Sequence, residues 1–127
     1  GGGGEENAEL EGVKNSLVAR YQKMVAEHPR LDRTVAFYAR ELNVSASHLH
    51  ELVKEATGST PIAIIQREVI IEAKRMLIHT THQVADIAQN LSFKDASYFG
   101  RYFRRNTGMT PGEFRRQIRS SLGIQAA

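Results

Sequence analysis

The chain has 127 residues, of which 41% are apolar, carries a formal net charge of +3 and contains no cysteine. This length suits one domain or two very small ones, and the lack of cysteine excludes disulfides, thiolate zinc sites and cysteine nucleophiles. No apolar stretch approaches the roughly 18 residues of a membrane-spanning helix, so we expect a cytoplasmic protein that does not bind the membrane.

Positive charge is concentrated towards the end of the chain. Residues 94–127 contain seven Lys and Arg against two Asp and Glu, whereas residues 1–93 contain ten against twelve. A local excess of this kind indicates an anionic partner for the C-terminal part. A solvated basic surface without a partner gives the same pattern, so the charge alone leaves both interpretations open.

The predicted elements begin after a glycine-rich start. We expect residues 1–8, which contain four glycines, to be a flexible linker or a cloning remnant. A first helix is predicted from about Val13 to Ala26, and Pro29 prevents it from continuing.

A pair of short helices is predicted next. Apolar residues recur at i, i+3, i+4 and i+7 from Val35 to Leu42, which is the pattern of an amphipathic helix. Ser45 can cap the following helix with its hydroxyl, and Gly58 ends that helix because glycine readily adopts the left-handed conformation. The residues of this second helix that we expect to be buried are Leu49, Leu52, Val53 and Ala56.

A longer helix follows, with Thr60 as its cap and Pro61 at its first position. We predict that it covers residues 61–78 and links two subdomains, residues 9–60 and residues 79–120. About 18 residues at 1.5 Å per residue span roughly 26 Å. Residues 121–127 are expected to be a frayed tail.

The chain then repeats its first pair of helices. Residues 35–44 resemble residues 84–93, and residues 48–61 resemble residues 98–111 after the insertion of one residue in the second copy. In each copy an alanine at the helix crossing, a turn and an apolar residue five positions later form the helix-turn-helix pattern. Two copies in register make this pattern more specific than a single copy.

The second copy has its own start and stop signals. Asp95 can cap its second helix, and Gly108 can end that helix in the left-handed conformation. The capping box Thr110-Pro111-Gly112-Glu113 then begins a last short helix.

The repeated segments resemble the AraC/XylS family of bacterial transcription regulators over roughly residues 13–119. The most specific match runs from Phe93 to Arg105 and is followed by Thr107-Gly108-Met109-Thr110-Pro111. Two residues depart from the family pattern: Ser92 stands where glycine is usual, and Val53 replaces the usual phenylalanine. The other segments that carry the resemblance are residues 44–49, 57–61, 73–77 and 84–88.

The resemblance implies an all-α fold of about seven helices, in which a central linker helix joins two helix-turn-helix subdomains. It also implies that one chain places two recognition helices in successive major grooves of double-stranded DNA, about 34 Å apart. The expected function is sequence-specific DNA binding and transcription regulation, more often activation than repression, with no catalytic activity and no cofactor. RNA polymerase is a second candidate partner, and a small-molecule effector would bind a separate sensing domain outside this chain.

The second helix of each copy carries the candidate DNA contacts, because this helix enters the groove and its N-terminal residues reach base edges. In the first copy the resemblance places Ser47, His50 and Glu51 towards bases. His50 could donate to guanine and Glu51 could accept from the cytosine amino group, although a solvated acid without a DNA role is an equal alternative for Glu51. Ser45 and Lys54 are the phosphate-contact candidates.

In the second copy Arg101 is the strongest candidate for a base contact, because a guanidinium pairs bidentately with guanine. Gly100 has no side chain and costs up to about 1 kcal/mol inside a helix, which indicates a reason for its presence, such as close approach of the DNA. The remaining base-contact candidates are Ala96 and Ser97. The phosphate-contact candidates are Lys94, Arg104 and Arg105. We expect this copy to supply most of the attraction for phosphate.

Two other classes of protein are alternatives. An all-α protein-binding adaptor would expose apolar recognition faces, whereas these faces are polar and charged. A metal-binding protein would use histidines, but residues two apart on a helix do not share a face, and zinc needs three or four convergent ligands. The histidines concerned are His48, which also matches a core position of the AraC/XylS family, His50, His79 and His82.

Overall fold

A computed structural model describes residues 2–123 of the chain. Within these residues the backbone forms seven α-helices and no strand, which confirms the expected all-α fold. The helices are α1 (Gly2–Glu27), α2 (Val35–Glu41), α3 (Ala46–Thr57), α4 (Pro61–His79), α5 (Val84–Asn90), α6 (Ala96–Thr107) and α7 (Pro111–Ser121). None of the described helices is long and apolar enough to cross a membrane.

The described residues divide into two compact units. The first comprises the residues up to His28 together with Arg33–Gln66, and the second comprises Pro29–Asp32 together with the residues from Arg67 onward. The division falls inside α4, whereas the sequence predicted boundaries near residues 60 and 78. Each unit contains one helix-turn-helix, α2–α3 in the first and α5–α6 in the second.

Tyr21 of α1 organises the core of the first unit. It is fully buried, its ring packs edge-on against the Tyr38 ring with centroids 5.5 Å apart, and its hydroxyl donates to the Pro61 carbonyl at 2.6 Å. Burial, and to a smaller extent Tyr38, raises the pKa of Tyr21 well above its usual value. One side chain therefore joins α1, α2 and the start of α4.

The recognition helix of the first unit, α3, has the start and end that the sequence predicts. The Ser45 hydroxyl oxygen accepts from the His48 N–H at 3.0 Å, and Gly58 ends the helix with a φ of 76°. Ala56 is exposed, contrary to the prediction. It lies in the lining of an open cavity between α3 and α1, together with Leu52 and Val18. The other three predicted core residues, Leu49, Leu52 and Val53, are buried.

Aromatic side chains build the core of the second unit. The Phe93 ring centroid lies 4.9 Å from that of Phe99 and 5.1 Å from that of Tyr102. Phe103 packs against Phe114 of α7 with centroids 5.5 Å apart. The corresponding positions in the first unit are aliphatic: Val44, Leu49, Leu52 and Val53.

The turn of each helix-turn-helix contains a residue with positive φ, Asn43 at 59° and Ser92 at 64°. The N–H of the next residue donates back to the carbonyl of Ala39 at 3.0 Å in the first copy and of Ala88 at 2.9 Å in the second. Left-handed backbone favours glycine over residues with a side chain. The turn geometry therefore accounts for the glycine that the resembling family usually has in place of Ser92.

The two ends of the chain differ from the prediction or lie outside the structure. α1 begins at Gly2, so the expectation of a flexible segment over residues 1–8 is wrong for the residues described. The residues after the glycines are good helix formers, and Glu5 in the first turn interacts favourably with the helix dipole. Of the expected frayed tail, residues 124–127 lie outside the described part of the chain.

Candidate nucleic-acid interface

The exposed face of α3 brings the predicted base contacts of the first unit together. Ser47, Glu51 and Lys54 are exposed and lie at i, i+4 and i+7, so they share one face of the helix, and exposed His50 lies beside them. The buried residues of α3 occupy the opposite face. All four side chains can therefore reach a ligand that lies along this face.

The two phosphate candidates of the first unit already make hydrogen bonds within the protein. The Ser45 oxygen accepts from the His48 N–H, which leaves its O–H free to donate to phosphate. Lys54 Nζ donates to the Gly58 carbonyl at 3.2 Å in an exposed contact at the end of α3. A phosphate oxygen makes a stronger, charge-assisted acceptor than this carbonyl, so the contact does not prevent Lys54 from binding DNA.

The exposed face of α6 repeats the arrangement with different chemistry. Ser97, Arg101 and Arg104 are exposed and lie at i, i+4 and i+7. Ala96 is exposed in the first turn, and the helix start is fixed by Asp95, whose Oδ1 accepts from the Tyr98 N–H at 2.7 Å. The face thus presents one hydroxyl and two guanidinium groups to solvent.

Gly100 lies half-buried on the same helix, between the exposed serine and the first arginine. A Cβ built on it would have no atom within 4 Å outside the neighbouring helix backbone. Packing inside the protein therefore does not require glycine at this position. The space beside Gly100 remains available for a ligand that approaches α6 closely.

Lys94 and Arg105 flank the α6 face, and both are exposed. The Arg105 guanidinium lies 6.0 Å from the centre of the Tyr102 ring, a distance at the limit of a cation–π contact. Lys94 precedes the helix cap. Both therefore remain candidates for contact with a backbone phosphate.

The two recognition helices differ in charge. α3 contains Lys54 against Glu51 and Glu55, whereas α6 contains three arginines and no acidic residue. Electrostatic attraction for a polyanion is therefore stronger at α6 than at α3.

Comparison with known proteins identifies this pair of helix-turn-helix units. A family model described as a helix-turn-helix domain matches residues 38–117, which run from α2 into α7. The transcriptional activator RhaS of Enterobacter sp. (strain 638) is 32% identical over 115 residues, which are 89% of this chain and 41% of RhaS. The chain belongs to the AraC-type helix-turn-helix family of transcription regulators.

Other members of the family and solved structures are also similar. The RhaS of Salmonella schwarzengrund is 31% identical over 84% of this chain and 39% of its own length, so the chain spans about two fifths of these activators. The C-terminal domain of AraT, a response regulator from Geobacillus stearothermophilus, aligns with a TM-score of 0.75 at 25% identity, covering 80% of this chain and 84% of that domain. The DNA-binding domain of AdpA, solved with a target DNA, has the same fold, with a TM-score of 0.75 at 22% identity over 82% of this chain and 94% of its own.

In this AraC-type chain two basic residues outside the recognition helices are additional candidates for phosphate contact. Arg40 is exposed in α2, and the Arg33 guanidinium lies 4.9 Å from the centre of the Phe37 ring just before α2. The first helix of a helix-turn-helix crosses the DNA backbone. Neither arginine is indicated by the pattern of the recognition helices, and α5 in the second copy has no Lys or Arg at the corresponding positions.

Two arginines of the basic C-terminal part are engaged inside the AraC-type domain. Arg115 and Arg119 of α7 donate to backbone carbonyls between Met76 and His82. They are half-buried and do not lie on a recognition helix. The basic residues of this part that remain exposed are Lys94, Arg101, Arg104, Arg105 and Arg116.

The histidines of this AraC-type domain do not form a cluster. Within residues 2–123 no three His, Cys, Asp or Glu side chains converge as metal ligands do. His48 is exposed, so the expectation that it occupies a core position is wrong. His48 lies in the first turn of α3, next to the buried face of the helix. The matching residue in the second copy, Tyr98, is half-buried.

Proposed function

We propose that this chain binds double-stranded DNA sequence-specifically by placing α3 and α6 in successive major grooves, and that this binding activates transcription. The observation that carries the proposal is the equivalence of the two copies. Each presents hydrogen-bonding side chains at the same three exposed positions of its second helix, from Ser47 to Lys54 and from Ser97 to Arg104. Side chains of this kind at the start of a recognition helix read base edges.

The proposed roles follow from the chemistry of each side chain. Arg101 pairs bidentately with a guanine, and Gly100 allows the α6 backbone to come close to the base edges. His50 donates to guanine, and Glu51 accepts from a cytosine amino group. Ser47 can contact either of these bases. The residues proposed to bind phosphate are Ser45, Lys54, Lys94, Arg104 and Arg105.

α4 is the proposed spacer between the two reading helices. It runs without interruption from Pro61 to His79 over 19 residues, which corresponds to a length of about 28 Å. Successive major grooves on one side of B-DNA are about 34 Å apart. The length of α4 is of the same order as this groove spacing, which supports its proposed role as the spacer.

Selection of bound sites from random double-stranded DNA tests the proposal. We expect two conserved half-sites whose centres lie about one helical turn apart. Insertion of five base pairs between them rotates one half-site by about half a turn and should abolish specific binding. Recovery of a single short site, or binding that tolerates the insertion, would contradict the reading of two successive grooves by one chain.

The partners beyond DNA are also proposals. The RhaS relatives are named as transcriptional activators, which supports RNA polymerase as a second partner and supports a cytoplasmic location. They are longer than this chain, which supports an effector-sensing domain separate from the residues described. We propose no catalytic activity, because the family consists of DNA-binding regulators. Transcription in vitro from a promoter that carries the selected site, with and without this chain, tests the activating role.

A further inference from the structure

The reading face of α3 (Ser47, Glu51 and Lys54) has an exposed histidine at each of its margins. His48 and His50 are both exposed, and residues two apart on a helix point to opposite sides. One imidazole therefore lies on each side of the reading face. The DNA contacts proposed above include His50 but give His48 no role.

Neither imidazole has a partner inside the protein. Within residues 2–123 the side chains of His48 and His50 form no ion pair and no hydrogen bond. The contact between His48 and the Ser45 hydroxyl is made by the backbone N–H of His48. The ring nitrogens of both histidines are therefore available to a ligand that lies along α3.

The charged groups near the two histidines lie mostly on α3 itself. Glu51 follows His48 by three positions and Lys54 follows His50 by four, so each pair shares a side of the helix. Glu55 lies further along, in the lining of the cavity against α1. The start of α3 therefore has an acidic neighbour and no fixed positive charge before Lys54.

The elements packed against α3 add charges in opposite pairs or none. α2 and α1 both contact α3. α2 has one basic and one acidic residue, Arg40 and Glu41. The charged residues of α1 that share a cavity with α3 are Glu11 and Lys14, which pair with each other at 3.7 Å. The part of α4 in the first unit, residues 61–66, has no charged side chain.

The matching positions of α6 have fixed charge where α3 has charge that depends on pH. Arg101 matches Glu51, whereas Tyr98 and Gly100 match the two histidines. Residues 46–53 of α3 contain no Lys or Arg, and histidine is the side chain that ordinarily changes its charge between about pH 5 and 8. The positive charge that the start of α3 presents to DNA is therefore set by the pH, while that of α6 is constant.

We propose that His48 is a further DNA contact of α3 and that His48 and His50 bind DNA in their protonated form, so that affinity for the half-site read by α3 rises as the pH falls. This proposal rests on the proposed placement of α3 in a major groove. A helix in that groove has a phosphate backbone on each side, and the two margins of the reading face then lie towards the two backbones. Nearby negative charge favours the charged form of a histidine, so phosphate stabilises both protonated rings.

Protonation also changes the hydrogen bonds that the rings can make. A neutral imidazole has one N–H donor, whereas the protonated ring has two. Protonated His50 can therefore donate to guanine and to phosphate or water at the same time. Where a histidine must take up a proton in order to bind, affinity falls by up to about tenfold per pH unit for each proton.

Gel-shift titration of the selected DNA site at about pH 6, 7 and 8 and constant salt concentration tests the proposal. Wild-type affinity should fall at least about tenfold from the lowest to the highest pH. The slope of log affinity against log salt concentration should become shallower by about 1–2, because up to two phosphate charges are no longer neutralised. His48→Gln and His50→Gln should each reduce the dependence on pH, and the double variant should bind equally at all three pH values. His48→Lys supplies a fixed positive charge, so at the highest pH it should bind more tightly than the wild type.

The double variant His79→Gln/His82→Gln is the matched control. Both histidines are exposed, and neither lies on a recognition helix, so this variant should keep the wild-type dependence on pH. Denaturant unfolding at each pH verifies that all variants remain folded. A wild-type affinity that changes less than about twofold over this range, or a His48→Gln/His50→Gln variant that keeps the dependence on pH, overturns the proposal. A chain that binds no DNA at any pH would instead contradict the proposed function, and this proposal with it.

Discussion

The Arg115 guanidinium of α7 donates from Nε to the carbonyl of Leu77, in the last turn of α4, at 3.0 Å. Its Nη1 donates to the His82 carbonyl at 2.7 Å, and Arg119 Nη2 donates to the Thr80 carbonyl at 2.7 Å. The last carbonyls of a helix have no partner within the helix, and positive charge is favourable there. These two arginines therefore hold the end of α4 and the segment before α5 against α7.

Arg115→Met should lower the free energy of unfolding by about 1–3 kcal/mol, because several partly buried carbonyls lose their donor. Burial, and to a smaller extent the charge of Arg119, lowers the pKa of Arg115, which agrees with its place inside the fold. Its guanidinium is directed into the fold and lies on α7, not on a recognition helix. We therefore expect the salt dependence of DNA affinity to stay unchanged, as measured by gel-shift titration at several salt concentrations.

Arg104→Met is the matched control for Arg115→Met. Arg104 is exposed on α6, so its loss should leave the free energy of unfolding nearly unchanged. It should reduce the slope of log affinity against log salt concentration by about 1, because one phosphate contact is lost. The assignment of the two arginines would be wrong if Arg115→Met reduced this slope and Arg104→Met did not.

Ser92→Gly should raise the free energy of unfolding by up to about 1 kcal/mol. Ser92 has a φ of 64°, and left-handed backbone costs about 1–2 kcal/mol for a residue with a side chain, whereas glycine adopts it freely but loses more entropy on folding. The Ser92 hydroxyl is among the smaller causes that lower the pKa of Asp32, after Arg30, and loss of this exposed contact offsets only a small part of the gain.

Ser92→Val provides the opposite test of the same turn. A β-branched residue is strongly disfavoured at positive φ, so this variant should be less stable than the wild type by about 1–2 kcal/mol. Denaturant unfolding of both variants gives the comparison. Equal stability of the glycine and valine variants would contradict a left-handed conformation at this turn.

Much of the fold could be predicted because its signals are local. The hydroxyl of Ser45, the glycines at positions 58 and 108 and the 3.6-residue spacing of apolar residues each act within a few residues, and all predicted helix ends there agree with the structure. Because the two copies repeat each other, each helix predicted in one copy also predicted its counterpart in the other. The same reasoning placed the exposed residues of α3 and α6 on the correct faces.

The features that sequence reasoning missed depend on distance in the chain or on a neighbouring element. The bond from Arg115 to Leu77 joins residues 38 positions apart, and no local pattern indicates it. Ala56 has the spacing of a core residue, but it is exposed beside an open cavity between α3 and α1. The start of α1 was misplaced because the glycines suggested flexibility, whereas the helix-forming residues after them extend the helix.

Tyr102→Phe should stabilise the protein and change its response to alkali. The Tyr102 hydroxyl is buried without a hydrogen-bond partner among the described residues, so its removal should raise the free energy of unfolding by up to about 1 kcal/mol at neutral pH. Burial raises the pKa of Tyr102 to about 12. Tyr98 adds a smaller increase, and Arg105 acts in the opposite direction.

The sign of the pH effect follows from that shift. An unfolded tyrosine ionises near pH 10, while folded Tyr102 stays neutral until about pH 12. This ionisation therefore leaves the stability of the wild type unchanged below pH 10 and lowers it as the pH rises from 10 through about 12. Between these values the wild type should lose stability more steeply than Tyr102→Phe. Parallel curves of unfolding free energy against pH for the two proteins would contradict the assignment.

Arg101→Ala should lower affinity for the selected DNA site by about 1–3 kcal/mol and affect random DNA much less. The physical reason is that a bidentate pair with guanine discriminates between bases, whereas attraction to phosphate does not. Arg105→Ala, at the margin of the same face, should weaken binding to both DNAs alike. Equal losses on cognate and random DNA for Arg101→Ala would exclude its role in specificity.

Gly100→Ala should make the protein more stable and its DNA binding weaker. Inside a helix alanine is favoured over glycine by about 0.5–1 kcal/mol, and an added Cβ at this position meets no atom of the protein within 4 Å. If the α6 backbone approaches base edges here, the extra methyl group separates the two surfaces, and we expect about a tenfold loss of affinity for the selected site.

Gly12→Ala in α1, where an added Cβ is equally unhindered, should give a similar gain in stability without a loss of DNA affinity. Thermal unfolding measures stability, and gel-shift titration measures DNA affinity. Stability should rise in both variants, whereas DNA affinity should fall only in Gly100→Ala. An alanine variant that binds the selected site as tightly as the wild type would mean that DNA does not approach this part of α6, and the proposed orientation of that helix in the groove would have to be abandoned.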